Sequence, residues 1–351
     1  MNERALAGTI LGTAVGDALG LPYEGLSQRR GHRMLGEPDR HRFFFGRGMV
    51  SDDTEHTCLM SQSLIAAGNN EAEFARQFAR RLRYWLLGVP AGIGFATLRA
   101  TIKLWFGVRP DRSGVFSAGN GPAMRSAILG AAFDDLTQLQ GFVRASTRIT
   151  HTDPLAECGA LAVAVAAHVS CRWQHVSGAE FLNELERLVA GDQADKMLAA
   201  IRRAVESAAR HTTTTEFAME LGLSRGVTGY VLHTVPVALH SWLSHPENYR
   251  QAVTNVIRCG GDTDTTAAIV GALVGCRVGV DGIPTEWVHR MSDWPRTTGW
   301  MLRLANQLAI VRHQQISAKP LRLPILVVVA RNALFLVIVL FHGFRRLLPP
   351  Y

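Results

Sequence analysis

Small residues recur at every fourth position in three separate segments of this 351-residue chain, and that spacing restricts the fold more than any other feature. Gly8, Gly12, Gly16 and Gly20 form one series, Ala156, Ala160 and Ala164 a second, and Ala267, Gly271 and Gly275 a third. On an α-helix such positions line one face and leave it bare. Each interior glycine costs about 1 kcal/mol relative to alanine, so four in a row imply a compensating close approach of another backbone. The spacing therefore predicts central helices packed against one another. Membrane helices use the same device, but Asp17 and the polar residues bordering the other two stripes oppose that reading.

The remainder also reads as helix. Apolar residues recur at three- and four-residue spacing, and alternating β-branched runs are few, so the fold class is all-α. Glu71 to Trp85, Leu136 to Arg148, Gly178 to Ala190 and Asp195 to Arg210 have the amphipathic pattern of surface helices. With 47% hydrophobic and 19% charged residues the chain is too apolar for disorder. No low-complexity linker divides it, so residues 1–315 are expected to form one domain and 316–351 a basic, apolar tail.

The formal charge of +8 resides at the C-terminal end. Beyond Asp293 there is no acid, while Arg296, Arg303, Arg312, Lys319, Arg322, Arg331, Arg345 and Arg346 are basic; the 29 bases that remain balance the 29 acids. A general nucleic-acid surface is therefore not expected. The five cysteines are odd in number and without CxxC spacing, reading as reduced thiols, and the N-terminus lacks the basic-then-apolar order of a secretory signal. The default expectation is a cytoplasmic protein.

Five short segments carry chemistry. Ser51-Asp52-Asp53-Thr54 places hard oxygen donors side by side. Adjacent carboxylates repel unless hydrogen bonds or a cation compensate, and oxygen-only ligation favours Mg²⁺, Mn²⁺ or Ca²⁺ over zinc. The same pattern also serves as a helix N-cap. Gly260-Gly261-Asp262-Thr263-Asp264-Thr265-Thr266 runs into the third small-residue helix, which is expected to start near Ala267. In a locally extended stretch Asp262 and Asp264 would face one side, and capping is again the alternative. Capping needs one acid, however, and the two loops offer four. Glu24 follows the end of the first glycine-striped helix, at Gly20 and Pro22, where a solvent-facing charge would be equally ordinary. His151, in Thr150-His151-Thr152-Asp153-Pro154, could bind substrate, ligate a metal or hydrogen-bond near a helix start; substrate contact is favoured because the acids already supply enough oxygen ligands. Ser117-Ala118-Gly119-Asn120-Gly121-Pro122 is a glycine-rich turn able to cradle phosphate on its backbone N–H groups.

In this order, the segments GDALGLPYE, SDDTEHT, GNGPAMR, THTDP and GGDTDTTAA resemble the ADP-ribosylglycohydrolase family across about residues 5 to 280. The resemblance implies a compact, single-domain helical fold with a binuclear metal cleft, holding two divalent cations, Mg²⁺ or Mn²⁺, at the base of an ADP-ribose site. It implies Ser51, Asp52, Asp53, Asp262, Asp264 and Thr265 as metal ligands. Glu24, with Asp52 and Asp53, would be catalytic, and Ser117, Gly119, Asn120, Gly121 and His151 would line the ADP-ribose site. Asp17 is expected to be structural. Ser51 stands where many relatives have threonine, and either hydroxyl can coordinate.

The implied reaction is hydrolysis at the anomeric carbon of the distal ribose, through an oxocarbenium-like state that nearby carboxylates stabilise. The expected substrate is ADP-ribosyl-arginine on protein, although the motifs do not include the cleft-mouth loops that choose the acceptor. The alternative is an immunity-type or non-catalytic protein that binds ADP-ribose or an ADP-ribosyltransferase toxin. The tail from Leu323 to Phe341 is strongly apolar but interrupted by Pro324, Arg331 and Asn332. Its large apolar residues contribute about −4 to −8 kcal/mol to insertion, which a central Arg at about +3 and the Asn largely offset. A helix docked on the domain, a peripheral membrane contact through residues 323–346 and, last, a true membrane span are the expectations.

Overall fold

Gly20 ends the first helix against the first turn of the helix Thr263–Val278, and the glycines behind it govern the rest of that contact. A Cβ on Gly8, Gly12, Gly16 or Gly20 would lie 2.0, 2.1, 2.1 or 2.2 Å from the carbonyl oxygens of Gly275, Gly271, Ala267 and Thr263 respectively. The helices Glu3–Gly20 and Thr263–Val278 therefore run antiparallel with their backbones touching, an approach only hydrogen side chains permit. Tyr249 donates its hydroxyl to the Gly12 carbonyl at 2.6 Å, and Thr263 donates to the Gly20 carbonyl at 2.8 Å.

The alanine stripe is used differently. In the helix Pro154–Arg172, Ala164 is approached by Gly130, whose added Cβ would fall 2.0 Å from the Ala164 carbonyl oxygen. Ser170 ties this helix to Thr263–Val278 by donating to the Leu273 carbonyl at 2.7 Å. Two stripes thus meet each other, while the third receives a glycine from a different segment. The windows around Glu3–Tyr23 and Pro154–Arg172 are apolar enough to cross a membrane, but they are 94% and 78% buried within the protein.

The computed structural model describes residues 3–349, and its secondary structure is overwhelmingly α-helical. Around the central helices lie the amphipathic ones: Glu71–Leu87, Leu136–Arg148, Gly178–Leu188 and Asp192–Ala209. Their starts follow local chemistry, with Asn70, Asp135 and Ser177 each accepting a capping bond from the backbone. One continuous core extends from Ala5 to Val311. The two-residue strands Leu26–Ser27 and Gly260–Gly261 pair antiparallel and lock the segment after Glu24 onto the second acidic loop.

The chain's last helix, Ile325–Arg345, lies on the body and builds a small cluster of its own, in which Phe335 and Ile338 pack with Leu21, Phe43 and Met49. Its Arg331 reaches inward to Asp293 and to the carbonyl of Val50.

Candidate active site

The antiparallel register of the first helix and Thr263–Val278 puts the end of one beside the start of the other, and so puts Glu24 beside Asp262 and Asp264. Gly25 donates to the Gly261 carbonyl at 2.7 Å, closing that junction. A cleft of about 600 Å³ opens here. Glu24, Asp52, Asp262, Asp264 and Thr265 line one part of it; Ser117, Gly119, Asn120, Gly121 and His151 line another. Ser51 and Asp53 lie buried behind this surface.

Local hydrogen bonding separates capping from the other duties of these acids. Ser51 caps the helix Asp52–Ala67 by accepting from Asp53 N at 3.4 Å, which leaves Asp52 and Asp53 without that task. At the second loop the expected extended stretch is corrected. Extension stops at Gly260–Gly261, and the helix begins at Thr263, four residues before Ala267, with Asp262 in the N-cap position. The Asp262 side chain makes no cap bond. Instead, Asn120 donates its amide to Asp262 Oδ2 at 2.7 Å, binding the glycine-rich turn to the acidic loop. Both loops meet where Ser51 and Thr265 each donate to Asp53 Oδ2, at 2.9 and 3.4 Å.

Crowding makes the acids reluctant to ionise together. Burial first, then the charges of neighbouring carboxylates, raises Asp52, Asp53 and Asp264 well above the ordinary carboxylate range. Burial also pushes Asp17 up to about 7, against the pull of hydrogen bonds from Ser51 and Thr54. Glu24 is raised by desolvation and by Asp262, and lowered by the Arg346 guanidinium. Buried Asp53 Oδ1 and Asp264 Oδ1 have no hydrogen-bond partner. Among the described residues no three His, Cys, Asp or Glu side chains are gathered tightly enough to hold an ion alone. Two orphaned carboxylate oxygens, crowded like charges and the adjoining Ser51 and Thr265 hydroxyls nevertheless suit a hard cation with mixed oxygen ligation.

Opposite the acids, His151 packs on the glycine-rich turn. A Cβ on Gly119 or Gly121 would come within 3.1 Å of its ring, so glycine is what allows the imidazole this close. Thr150 shares a hydrogen bond with Nδ1 at 2.9 Å. Burial, reinforced by Arg125, lowers His151 to about 3, so the ring is neutral at physiological pH. Arg125 is itself fully buried, donating to Thr150 Oγ1 at 2.7 Å and to the Ser146 carbonyl at 3.0 Å. The turn leads into only a four-residue helix, Gly121–Met124. The cap of the following long helix is Asp153, not His151, with Leu155 N donating at 2.9 Å.

Several cleft residues escape a motif-based reading. Phe95 is 85% exposed at the cleft wall, and Arg225 lies in the loop that contributes Gly226 to Gly229. Both sit in glycine-punctuated loops, GVPAGIG and GLSRGVTG, which is the signal that could have marked them. Asp17, expected to be structural, is fully buried behind the first acidic loop and accepts from Ser51 N at 2.9 Å and Thr54 Oγ1 at 2.5 Å.

A family model and several known proteins match most of the chain. The ADP-ribosylglycohydrolase family model matches residues 2–318. An uncharacterized protein of Archaeoglobus fulgidus is 34% identical over 83% of this chain and 92% of its own length. The ADP-ribosyl-[dinitrogen reductase] glycohydrolase of Rhodospirillum rubrum is 29% identical, covering 83% and 91%. The ADP-ribosylhydrolase ARH3 of Gallus gallus is 28% identical, covering 88% and 94%. A solved structure described as an ADP-ribosylglycohydrolase-related protein complex superposes with a TM-score of 0.64 at 25% identity, over 88% of this chain and 98% of its own. The chain belongs to the ADP-ribosylglycohydrolase family and is a hydrolase of glycosidic bonds.

Proposed function

We propose that this enzyme releases ADP-ribose from arginine side chains of ADP-ribosylated proteins, in a reaction that depends on two divalent cations, Mg²⁺ or Mn²⁺. The observation that carries the reading is the meeting of both acidic loops, Glu24 and the His151–glycine turn around one cleft. Ser51, Asp52, Asp53, Asp262, Asp264 and Thr265 would hold the cations. When bound, these supply Lewis-acid polarisation and a template for the ribose hydroxyls.

The chain's own residues then account for the remaining steps. The carboxylates at the cleft floor stabilise positive charge developing on the ribose ring. Glu24, open to the cleft, takes a proton from the attacking water and returns it to the departing guanidino nitrogen; the anomeric C–N bond breaks and a C–O bond forms. Neutral His151 offers a hydrogen bond without adding charge. Exposed Phe95 suits stacking on a base, and Arg225 suits a pyrophosphate.

Support for a guanidinium acceptor comes from Arg346. Burial lowers the Arg346 pKa overall, while Glu24 and Asp264 pull it back towards the charged form, so this corner of the site lies within reach of one guanidinium. The test compares arginine-linked and serine-linked ADP-ribosylated proteins, after chelation and again with Mg²⁺ or Mn²⁺, beside Asp262→Ala/Asp264→Ala. Metal-dependent release from arginine, lost in the double variant, is expected. Release from serine alone would overturn the acceptor; release that survives chelation would overturn the metal requirement.

A further inference from the structure

The helix Ile325–Arg345 lies beyond residue 318, where the family match ends, and its amphipathicity is inverted. The side facing the body carries the polar residues. Arg331 is paired with Asp293 and the Val50 carbonyl, Asn332 donates to the Gly88 carbonyl at 2.7 Å, and His342 Nε2 shares a hydrogen bond with the Phe43 carbonyl at 2.8 Å. The side facing outward is apolar: Leu326, Val337, Phe341 and Phe344 are 81, 63, 66 and 68% exposed. Between Arg322 and Arg345 no charged side chain points out, since the single one in that interval, Arg331, is buried. A helix facing water is normally polar on that side, and a contiguous apolar surface of this kind marks an interaction site.

The charge at its borders selects the partner. Lys319, Arg322 and Arg345 are exposed at the two ends of the apolar band, and no acid occurs anywhere after Asp293. Apolar side chains flanked by bases match acyl chains beneath anionic headgroups. Val89 and Phe45, 64 and 93% exposed, follow closely on Gly88, which Asn332 holds, and Phe43, which stacks on His342.

We propose that this face seats the enzyme on an anionic lipid bilayer, with the helix lying in the interfacial plane. At 21 residues the helix is long enough to span. Crossing, however, would strip Arg331 from Asp293 and leave a buried carboxylate uncompensated. The docked position keeps that pair and exposes only apolar atoms to lipid. Because Arg346, at the end of the helix, neighbours Glu24, the membrane plane lies close to the rim of the cleft. The seating does not depend on which acceptor the enzyme cleaves.

Flotation of the full chain with vesicles tests this, using phosphatidylcholine alone and phosphatidylcholine with about one-third phosphatidylglycerol. The chain is expected to float with the anionic vesicles and to be released by high salt. Val337→Glu/Phe341→Glu should cut the bound fraction about tenfold or more while keeping the melting temperature, because both side chains are exposed. Equal binding to neutral vesicles would overturn the anionic preference. Absence of binding to either would overturn the proposal, and a dimer that the double variant dissociates would assign the face to a second copy of the chain.

Discussion

Asp17, in the first helix, accepts hydrogen bonds from the Ser51 amide and the Thr54 hydroxyl, so the glycine-packed core and the first acidic loop are joined through one buried carboxylate. Asp17→Ala removes the acceptor and leaves three buried donors, Ser51 N, Thr54 N and Thr54 Oγ1, unsatisfied. A loss of about 2–4 kcal/mol in urea unfolding is expected, with metal affinity by calorimetry weakened about 10- to 100-fold as Ser51 and Asp53 lose their support. Asp17→Asn, which retains one acceptor, should fall between the two.

Gly12→Val should be close to non-folding. The new side chain would begin 2.1 Å from the Gly271 carbonyl oxygen, and neither helix backbone has room to withdraw. A melting temperature below that of any surface variant is expected, from a cost of about 3 kcal/mol or more. Gly343→Ala is the contrast: it is also helical, but a Cβ there meets nothing within 4 Å. That change should stabilise by about 0.5–1 kcal/mol.

Metal-free protein should lose the contribution of Asp17 to its stability as pH rises from about 4 to about 7. The sign follows from carboxyls raised in the folded state. Their stabilising protons are fully bound below the unfolded value and lost as pH climbs through the folded one, which for Asp17 is about 7. The buried histidines act oppositely over much of the same range: His151 is depressed to about 3 and His240 to about 4, so their contribution falls as pH drops below the ordinary histidine value. Melts after chelation should therefore show the Asp17 contribution as a difference: relative to Asp17→Asn, the native protein should lose melting temperature between about pH 4 and 7 and hold a constant offset above that. A difference between the two proteins that grows from pH 4 to 7 in favour of the native one would contradict this.

Arg346→Ala should shift the acidic limb of the kcat/KM profile to higher pH, by a few tenths of a unit to about one unit. The guanidinium lowers the Glu24 pKa, so its removal lets burial and Asp262 push that carboxyl further up. An unmoved limb would mean that another group controls it.

Arg331→Met should cost about 3–5 kcal/mol by leaving Asp293 buried without its partner. The same change removes a bond to the Val50 carbonyl, one residue before the Ser51 cap. Limited proteolysis should then cut within Ile325–Arg345 while the body resists. Arg331 also lies 3.5 Å from Glu55, but Arg296 continues to hold that carboxylate at 2.6 Å, so Glu55 keeps one partner.

Much of the site was legible because its residues arrive in contiguous motifs: Ser51 to Thr54, Asp262 to Thr265, Gly119 to Gly121. Helix periodicity and the small-residue stripes were legible for the same reason, since both are local regularities of the chain. The register between stripes was not, because spacing alone does not say that Gly16 meets Ala267 while Ala164 meets Gly130. Nor could spacing assign Asp17, whose partners are 34 and 37 residues away.

By itself, then, the amino-acid order determined the helical class, the donor chemistry of two acidic loops and a C-terminal segment both apolar and basic. Tertiary structure alone decided that neither loop spends an acid on capping, which acids face the cleft, that Asn120 holds Asp262, and that the last helix turns Arg331 inward and its apolar side out. Those outcomes depend on burial and on hydrogen-bond partners brought together from distant parts of the chain, which no local pattern encodes.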